Sequence, residues 1–307
     1  MSVEETAEDL GKFPLAPRGS KLGPVPPEFD FSLKTTRDVW TEDLPRLLEE
    51  ARLVRWNGVD LPWGSAKQLT DENEITLCQL LTFLVQNEYL SLYLASKFVS
   101  RITPYLGEVS LLLSYHVRDE ANHIDVLTRR ANLGAGFQKV SSATQYALKS
   151  VLEIEDFSKA IFLLYVMGDG SMADLLNFLS QSFPDDFTRV MFERIVSDER
   201  RHVSYGIAKT KYHLAREPSF IDSIQRMIEE RASYCFEVAA VDEVVKQSLL
   251  KLISVGKEAA TVGEAQLKQM YSVIENGRRA RLLQIGFYQE SVDKVMDVIS
   301  LSGSGLC

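Results

Sequence analysis

An all-α fold, a helical bundle preceded by an extended N-terminal arm, is predicted from three observations. Apolar residues recur with helical period over long stretches after residue 70. Five of the ten prolines, Pro14, Pro17, Pro24, Pro26 and Pro27, crowd into the first 27 residues beside Gly11, Gly19 and Gly23. No stretch alternates apolar and polar residues between hairpin turns, so strands are not expected. The proline-rich segment therefore reads as an arm on a surface. A short helix near 42–55 follows it, and Trp40, Trp56 and Trp63 are expected to anchor this region by packing. Long helices are predicted near 71–102, 104–132, 142–182, 185–216, 219–254 and 261–299. Their starts carry capping patterns: Asp71 with Glu74, Pro184 before Asp185 and Asp186, Ser219 with Asp222, and Thr261 with Glu264. Residues 1–69 form one expected unit, the arm and short helix. Residues 70–307 form a single helical domain, with a core at about 70–215 and accessory helices at 219–299.

The chain has 307 residues and a formal charge of −9, with a pI near 5.1. That balance excludes a general nucleic-acid binder, which needs a basic face for phosphates. The acidic start MSVEETAEDL has no apolar core, so no signal peptide is read. Ala160–Met167, among the greasiest stretches, is too short to span a bilayer. Cys78, Cys235 and Cys307 are too few for a disulfide scaffold and fit a reducing cytoplasm. Cys78 and Cys235 are read as core residues.

The chain has four histidines, and two of them close the same pentad. Asp119-Glu120-Ala121-Asn122-His123 and Asp198-Glu199-Arg200-Arg201-His202 both read Asp-Glu-x-x-His. Glu and His three apart project from one helix face. Glu88 lies 32 residues before Glu120, and Asp169 lies 30 before Glu199. The order is acid, Glu-x-x-His, acid, Glu-x-x-His, on four successive predicted helix stretches. Antiparallel packing brings these groups together at mid-height, which is the ligand arrangement of dimetal carboxylate bundles.

A lone Glu-x-x-His is more often a solvated pair. Here each acid sits inside an apolar stripe: Leu81, Leu84 and Val85 flank Glu88, and Leu113, Val117 and Leu127 flank Glu120. Phe162, Tyr165, Val166 and Leu176 flank Asp169, and Phe192, Ile195, Val196 and Val203 flank Glu199. A buried unpaired carboxylate costs several kcal/mol or stays protonated. Two divalent cations balance four carboxylates and two neutral imidazoles. Carboxylate and imidazole donors without thiolate favour iron or manganese over a structural zinc. Glu88, Glu120, His123, Asp169, Glu199 and His202 are the expected metal ligands. Asp119 and Asp198 are either acceptors for the ligand imidazoles or helix-surface acids. Arg200 and Arg201 are expected to face solvent or an acidic neighbour.

On these motifs the chain resembles the ferritin-like non-haem diiron carboxylate superfamily of oxygenases, oxidases and ribonucleotide reductase small subunits. Residues 198–206 (DERRHVSYG) are especially similar to the second motif of diiron oxygenases and reductase small subunits. The resemblance covers about 70–215. It implies a ferritin-like four-helix core, two iron ions (Fe2+/Fe3+) with a Mn/Fe pair as the other option, and reaction with O2. It also implies a small organic substrate, an external reductase or ferredoxin, and a homodimer; no membrane partner is expected.

Two features depart from the pattern. The third acid is usually Glu, whereas Asp169 is one methylene shorter and sits between Gly168 and Gly170. Glycine inside a helix costs about 1 kcal/mol relative to Ala, so a local bulge, substrate room or close helix packing must compensate. Asp174 is too near Glu199 in sequence to replace Asp169. The second departure is His116, which shares a face with Glu120 and His123. It is expected beside the ligands, with ligation the lesser alternative. The activities that fit are hydroxylation, N-oxygenation, desaturation or oxidative cleavage. The alternatives are iron storage and a radical-generating subunit. The common radical form places Tyr four residues after the first-motif His, where this chain has Leu127.

Overall fold

The structure is a computed structural model that describes residues 15–16, 18–21, 29–66, 69–140, 142–181, 183, 185–239, 243–254 and 260–301. Among these residues the chain is helical, and the one β-type pairing is an isolated bridge between Leu33 and Ile102. The helices are α1 (Thr36–Val39), α2 (Leu44–Leu53), α3 (Asp71–Val99), α4 (Gly107–Leu133), α5 (Ser142–Leu152) and α6 (Phe157–Ile161). A π-helical segment, Phe162–Asp169, joins α6 to α7 (Gly170–Ser180). Then follow α8 (Asp186–Arg216), α9 (Phe220–Ala239), α10 (Glu243–Ser254), α11 (Ala260–Ile285) and α12 (Gln289–Leu301).

Four long elements form the central bundle: α3, α4, the continuous α6–π–α7 helix, and α8. Helix α3 packs on α4, and α7 on α8. Short links force antiparallel neighbours, which brings the middles of the helices together. Helix α11 packs on α7, and α10 on α3. Phe157–Ser180 is long and apolar enough to cross a membrane, contrary to the reading of Ala160–Met167 alone. Yet 72% of its most apolar stretch is buried inside the protein, as expected of a bundle's core helix.

Several expected helices are divided. The 142–182 stretch breaks because Asp156 caps α6, its side chain accepting from Lys159 N–H. The 261–299 stretch breaks at Gly286, whose φ of +112° suits glycine. There Gly286 N–H donates to Leu283 O and Phe287 N–H to Leu282 O, a Schellman stop. The 219–254 stretch appears as α9 and α10. The Asp71–Glu74 capping box does not form. Thr70 is the N-cap and makes no side-chain cap bond, while Glu74 accepts from Leu69 N–H and turns inward. Pro184, Cys307 and the side chain of Cys235 lie outside the described residues, whereas Cys78 is buried as expected.

The inward turn of Glu74 has a partner. Arg130 on α4, 1% exposed, donates from Nη1 and Nη2 to Glu74 at 3.0 and 3.1 Å. It also donates to Thr188 Oγ1 at 3.2 Å and Asp185 Oδ2 at 3.4 Å, joining the ends of α3, α4 and α8. Removing one partner of a buried charge cluster strands the others without solvent. Arg130→Met should therefore destabilise the protein by about 3–5 kcal/mol, read from the urea midpoint. Arg46→Met, which breaks an exposed pair with Glu50, should cost at most about 1 kcal/mol.

Candidate metal centre

Each of the four bundle elements carries one acid inward at the same height: Glu88 on α3, Glu120 on α4, Asp169 at the end of the π segment, and Glu199 on α8. All four are buried. His123 and His202 follow their acids by one helical turn and are 0% exposed. The donor atoms fall into two overlapping groups, each within 4.8 Å: Glu88, Glu120, His123 and Glu199, and Glu120, Asp169, Glu199 and His202. All six sequence-predicted residues are thus brought together.

Glu120 and Glu199 belong to both groups, one oxygen to each. His123 Nδ1 lies 3.1 Å from Glu88 Oε2, 3.4 Å from Glu120 Oε2 and 3.4 Å from Glu199 Oε1. His202 Nδ1 lies 3.0 Å from Glu120 Oε1, 3.6 Å from Glu199 Oε2 and 4.0 Å from Asp169 Oδ2. The arrangement is nearly two-fold: two shared carboxylates in the middle, and one acid and one imidazole at each end.

The far nitrogens of both rings are held crosswise. His123 Nε2 on α4 meets Asp198 Oδ2 on α8 at 3.0 Å, and His202 Nε2 on α8 meets Asp119 Oδ2 on α4 at 3.4 Å. A proton on Nε2 leaves the Nδ1 lone pair free to face the centre. Arg201 Nη2 donates to Asp119 at 3.1 Å and to Asp198 at 2.5 Å, tying the two aspartates together. Trp56 Nε1 donates to Asp198 at 2.7 Å. The hydrogen bond adds a polar role to the packing expected of this indole. Nothing local to Trp56 signals a partner 142 residues away, whereas Arg201 is an expected neighbour of acids.

His116 lies outside both donor groups. Its Nδ1 is 3.1 Å from the Tyr165 hydroxyl, and its ring centroid is 4.2 Å from that of His202. Burial, then the nearby His202 charge, holds it well below the usual imidazole range. Asp169 Oδ1 accepts from Ser91 Oγ at 3.2 Å, and Oδ2, without a hydrogen-bond partner among the described residues, lies toward His202 Nδ1. Two of the readings of the flanking glycines, the bulge and the close packing, are realised. The backbone bulges into a π-helix, and a Cβ on Gly170 would meet Arg281 Nε at 2.4 Å. Asp174 points away and pairs with Arg281 at 2.7 Å.

The group's chemistry fits cations. Glu120 Oε1 and Oε2, Asp169 Oδ2, Glu199 Oε2 and His202 Nδ1 are buried without a hydrogen-bond partner among the described residues. Each unsatisfied buried atom costs about 1–3 kcal/mol, and all face the two donor groups. Protons otherwise carry the burden. Burial and neighbouring carboxylates push Glu88 and Asp169 well up. Burial opposes charge on His123 and His202 too, but Glu88 and Asp198 raise the first, and Asp119 and Glu120 raise the second. Burial would raise Glu120, but Glu88 and both imidazoles hold it low. The buried group can bind two metal ions: four carboxylates balance two divalent charges.

No family model and no curated protein sequence matches the chain. Among solved structures, it is similar to a tyrosine-to-phenylalanine variant of R2-like ligand-binding oxidase with an anaerobically reconstituted Mn/Fe cofactor. The TM-score is 0.56 at 15% identity, over 78% of this chain and 94% of that one. R2-like ligand-binding oxidase without metal cofactor gives a TM-score of 0.50 at 16% identity, over 78% and 96%. The fold is therefore the all-α ferritin-like bundle of these proteins.

Anaerobic titration of metal-free protein with Fe(II) should saturate at two ions per chain; a plateau at one would break the pairing of the two groups. The metal-free protein should also lose stability between about pH 6 and about pH 8. His123 and His202, raised in the fold, stabilise below their unfolded pKa, and that contribution fades as pH climbs through the raised values. Glu88 and Asp169 stay protonated in the fold where the unfolded chain has ionised, so their cost also grows with pH. Burial acts the other way on His116, on half-buried His213 and on Lys209, the last lowered to about 7, but three groups oppose four. Thermal unfolding at both pH values, with and without Mn(II), measures this, and metal should shrink the difference.

Proposed function

We propose that the chain is a non-haem dimetal oxidoreductase that activates O2 against a small organic substrate, with Glu88, Glu120, His123, Asp169, Glu199 and His202 as its ligands. The observation that carries this reading is the sharing of Glu120 and Glu199 between two donor groups. Two ions held by the same carboxylates can act on one molecule together. When bound, the pair supplies the electrons that reduce O2 and the Lewis acidity that binds it. The protein supplies the rest. Asp198 and Asp119 orient the two imidazoles. Ser91 holds one oxygen of Asp169, which fixes the orientation of a carboxylate one methylene shorter than Glu. The apolar walls, with Tyr165, Val166, Phe192 and Ile195 buried, keep bulk water from the reacting atoms.

The bundle of the R2-like ligand-binding oxidases supports this reading, and the Mn/Fe cofactor named for one of them makes a Mn/Fe pair as suitable as two irons. Hydroxylation, N-oxygenation, desaturation and oxidative cleavage share this first step. A storage role fits less well, because stored ions must leave readily and all six donors are buried.

The test is anaerobic Fe(II) loading followed by an O2 pulse, with O2 uptake and visible absorption followed together. Wild type should consume O2 in proportion to protein and pass through a transient band. Asp169→Ala should lower uptake at least about tenfold, as should Glu88→Ala. Glu153→Ala, on an exposed face, should behave as wild type. Uptake by Asp169→Ala equal to wild type would remove Asp169 from the ligand set. No uptake by loaded wild type would remove the O2 reading.

A further inference from the structure

The π segment that ends in Asp169 depends on a helix outside the metal-binding core. At the end of the segment, Gly170 N–H donates to Tyr165 O and Met167 O. In an α-helix that N–H would close on Val166 O, four residues back. Val166 O instead accepts from Arg281 Nε at 2.8 Å. Arg281 belongs to α11 and is 8% exposed. Its Nη1 pairs with Asp174 on α7 at 2.7 Å, so the guanidinium spans the turn that follows Asp169.

The packing leaves room for little else. A Cβ on Gly170 would sit 2.4 Å from Arg281 Nε, and one on Gly277 would sit 2.0 Å from Asp174 Oδ2. Either alanine would displace a member of the pair. One turn away on α11, Arg278 Nε donates to Ser171 Oγ at 2.8 Å, and Ser171 Oγ donates to Met167 O at 2.5 Å. Two successive carbonyls of the π segment are thus tied toward α11, one directly and one through Ser171. A buried carbonyl without a partner is costly. Without Arg281, the cheapest remedy for Val166 O is to recover Gly170 N–H and revert to α-helix. That change removes the extra residue from the turn and rotates the chain on one side of it by on the order of 100°.

We propose that Arg281 is a positioning residue for the second metal position. By donating to Val166 O in place of Gly170 N–H, it holds the π register that turns Asp169 Oδ2 toward Glu120, Glu199 and His202. The inference rests on the dimetal reading, and it gives α11, outside the region that carries the family resemblance, a task in the centre. It also makes the effect one-sided. Asp169 belongs only to the group with His202, so the group with Glu88 and His123 keeps all its donors when Arg281 is lost.

The test is anaerobic Mn(II) titration of the full chain, followed by electron paramagnetic resonance, which separates exchange-coupled pairs from single ions. Wild type should bind two Mn(II) and give a coupled signal. Arg281→Met keeps the apolar stem and removes the donors. It should bind one Mn(II) as wild type does and the second about 10- to 100-fold more weakly, with a single-ion signal at one equivalent. Arg281→Lys restores a donor to Val166 O and should recover most of the coupled signal. Three results would overturn the proposal: two tight ions in Arg281→Met, equal weakening of both ions, or Arg281→Lys no better than Arg281→Met. Loss of helix content in the far-ultraviolet circular dichroism of Arg281→Met would also overturn it, by making Arg281 a determinant of folding. Fewer than two Mn(II) in wild type would instead overturn the dimetal reading itself.

Discussion

The mutual repulsion of four carboxylates, enclosed with two imidazoles and closed to water, is the constraint on which this structure turns. In water such charges would be screened; within an apolar bundle they are not. Either protons or cations must neutralise them, and the geometry suits cations better. Several carboxylate oxygens have no hydrogen-bond partner among the described residues, whereas two divalent ions, one in each donor group, would satisfy both groups together. The apolar stripes around each acid give the bundle its core and also make the acids expensive unless neutralised. Stability and metal affinity are therefore linked in the same residues.

Holding such a site open requires rigid support, and the supports come from three directions. Within the core, Asp119 and Asp198 cross between α4 and α8 to hold the opposite imidazole, and Arg201 ties them together. From the N-terminal side, the segment after α2 lays Trp56 on Asp198, and Gly58 lies so close to α4 that a Cβ would meet Val126 at 2.4 Å. From the C-terminal side, α11 reaches the backbone next to Asp169 through Arg281. The segments flanking the four-helix core are thus part of the centre's scaffolding.

Much of this was legible from sequence, for a definite reason. Glu-x-x-His is a local pattern, and helix period places both residues on one face without knowledge of the fold. The stripes around Glu88, Glu120, Asp169 and Glu199 then reveal burial, and the repeat reveals that the four meet. What escaped were interactions set by long-range packing. Glu74 matches a capping box locally, but the N-cap lies one residue earlier, at Thr70, and Glu74 meets both Leu69 N–H and the buried Arg130. The indole of Trp56 looked like packing because its acceptor lies on α8. The π segment could be suspected from Gly168 and Gly170, yet its support comes from Arg281, more than a hundred residues later. The helix break at Gly286 was visible as a glycine, but it counted as a stop only once its left-handed φ was known.

The central claim is that Glu120 and Glu199 lie between two metal positions. Anomalous diffraction at the manganese edge from crystals soaked in Mn(II) addresses it most directly. The account predicts two anomalous peaks per chain, one bordered by Glu88 and His123 and the other by Asp169 and His202, with both shared carboxylates between them. A single peak, or peaks that do not have Glu120 and Glu199 in common, would contradict it.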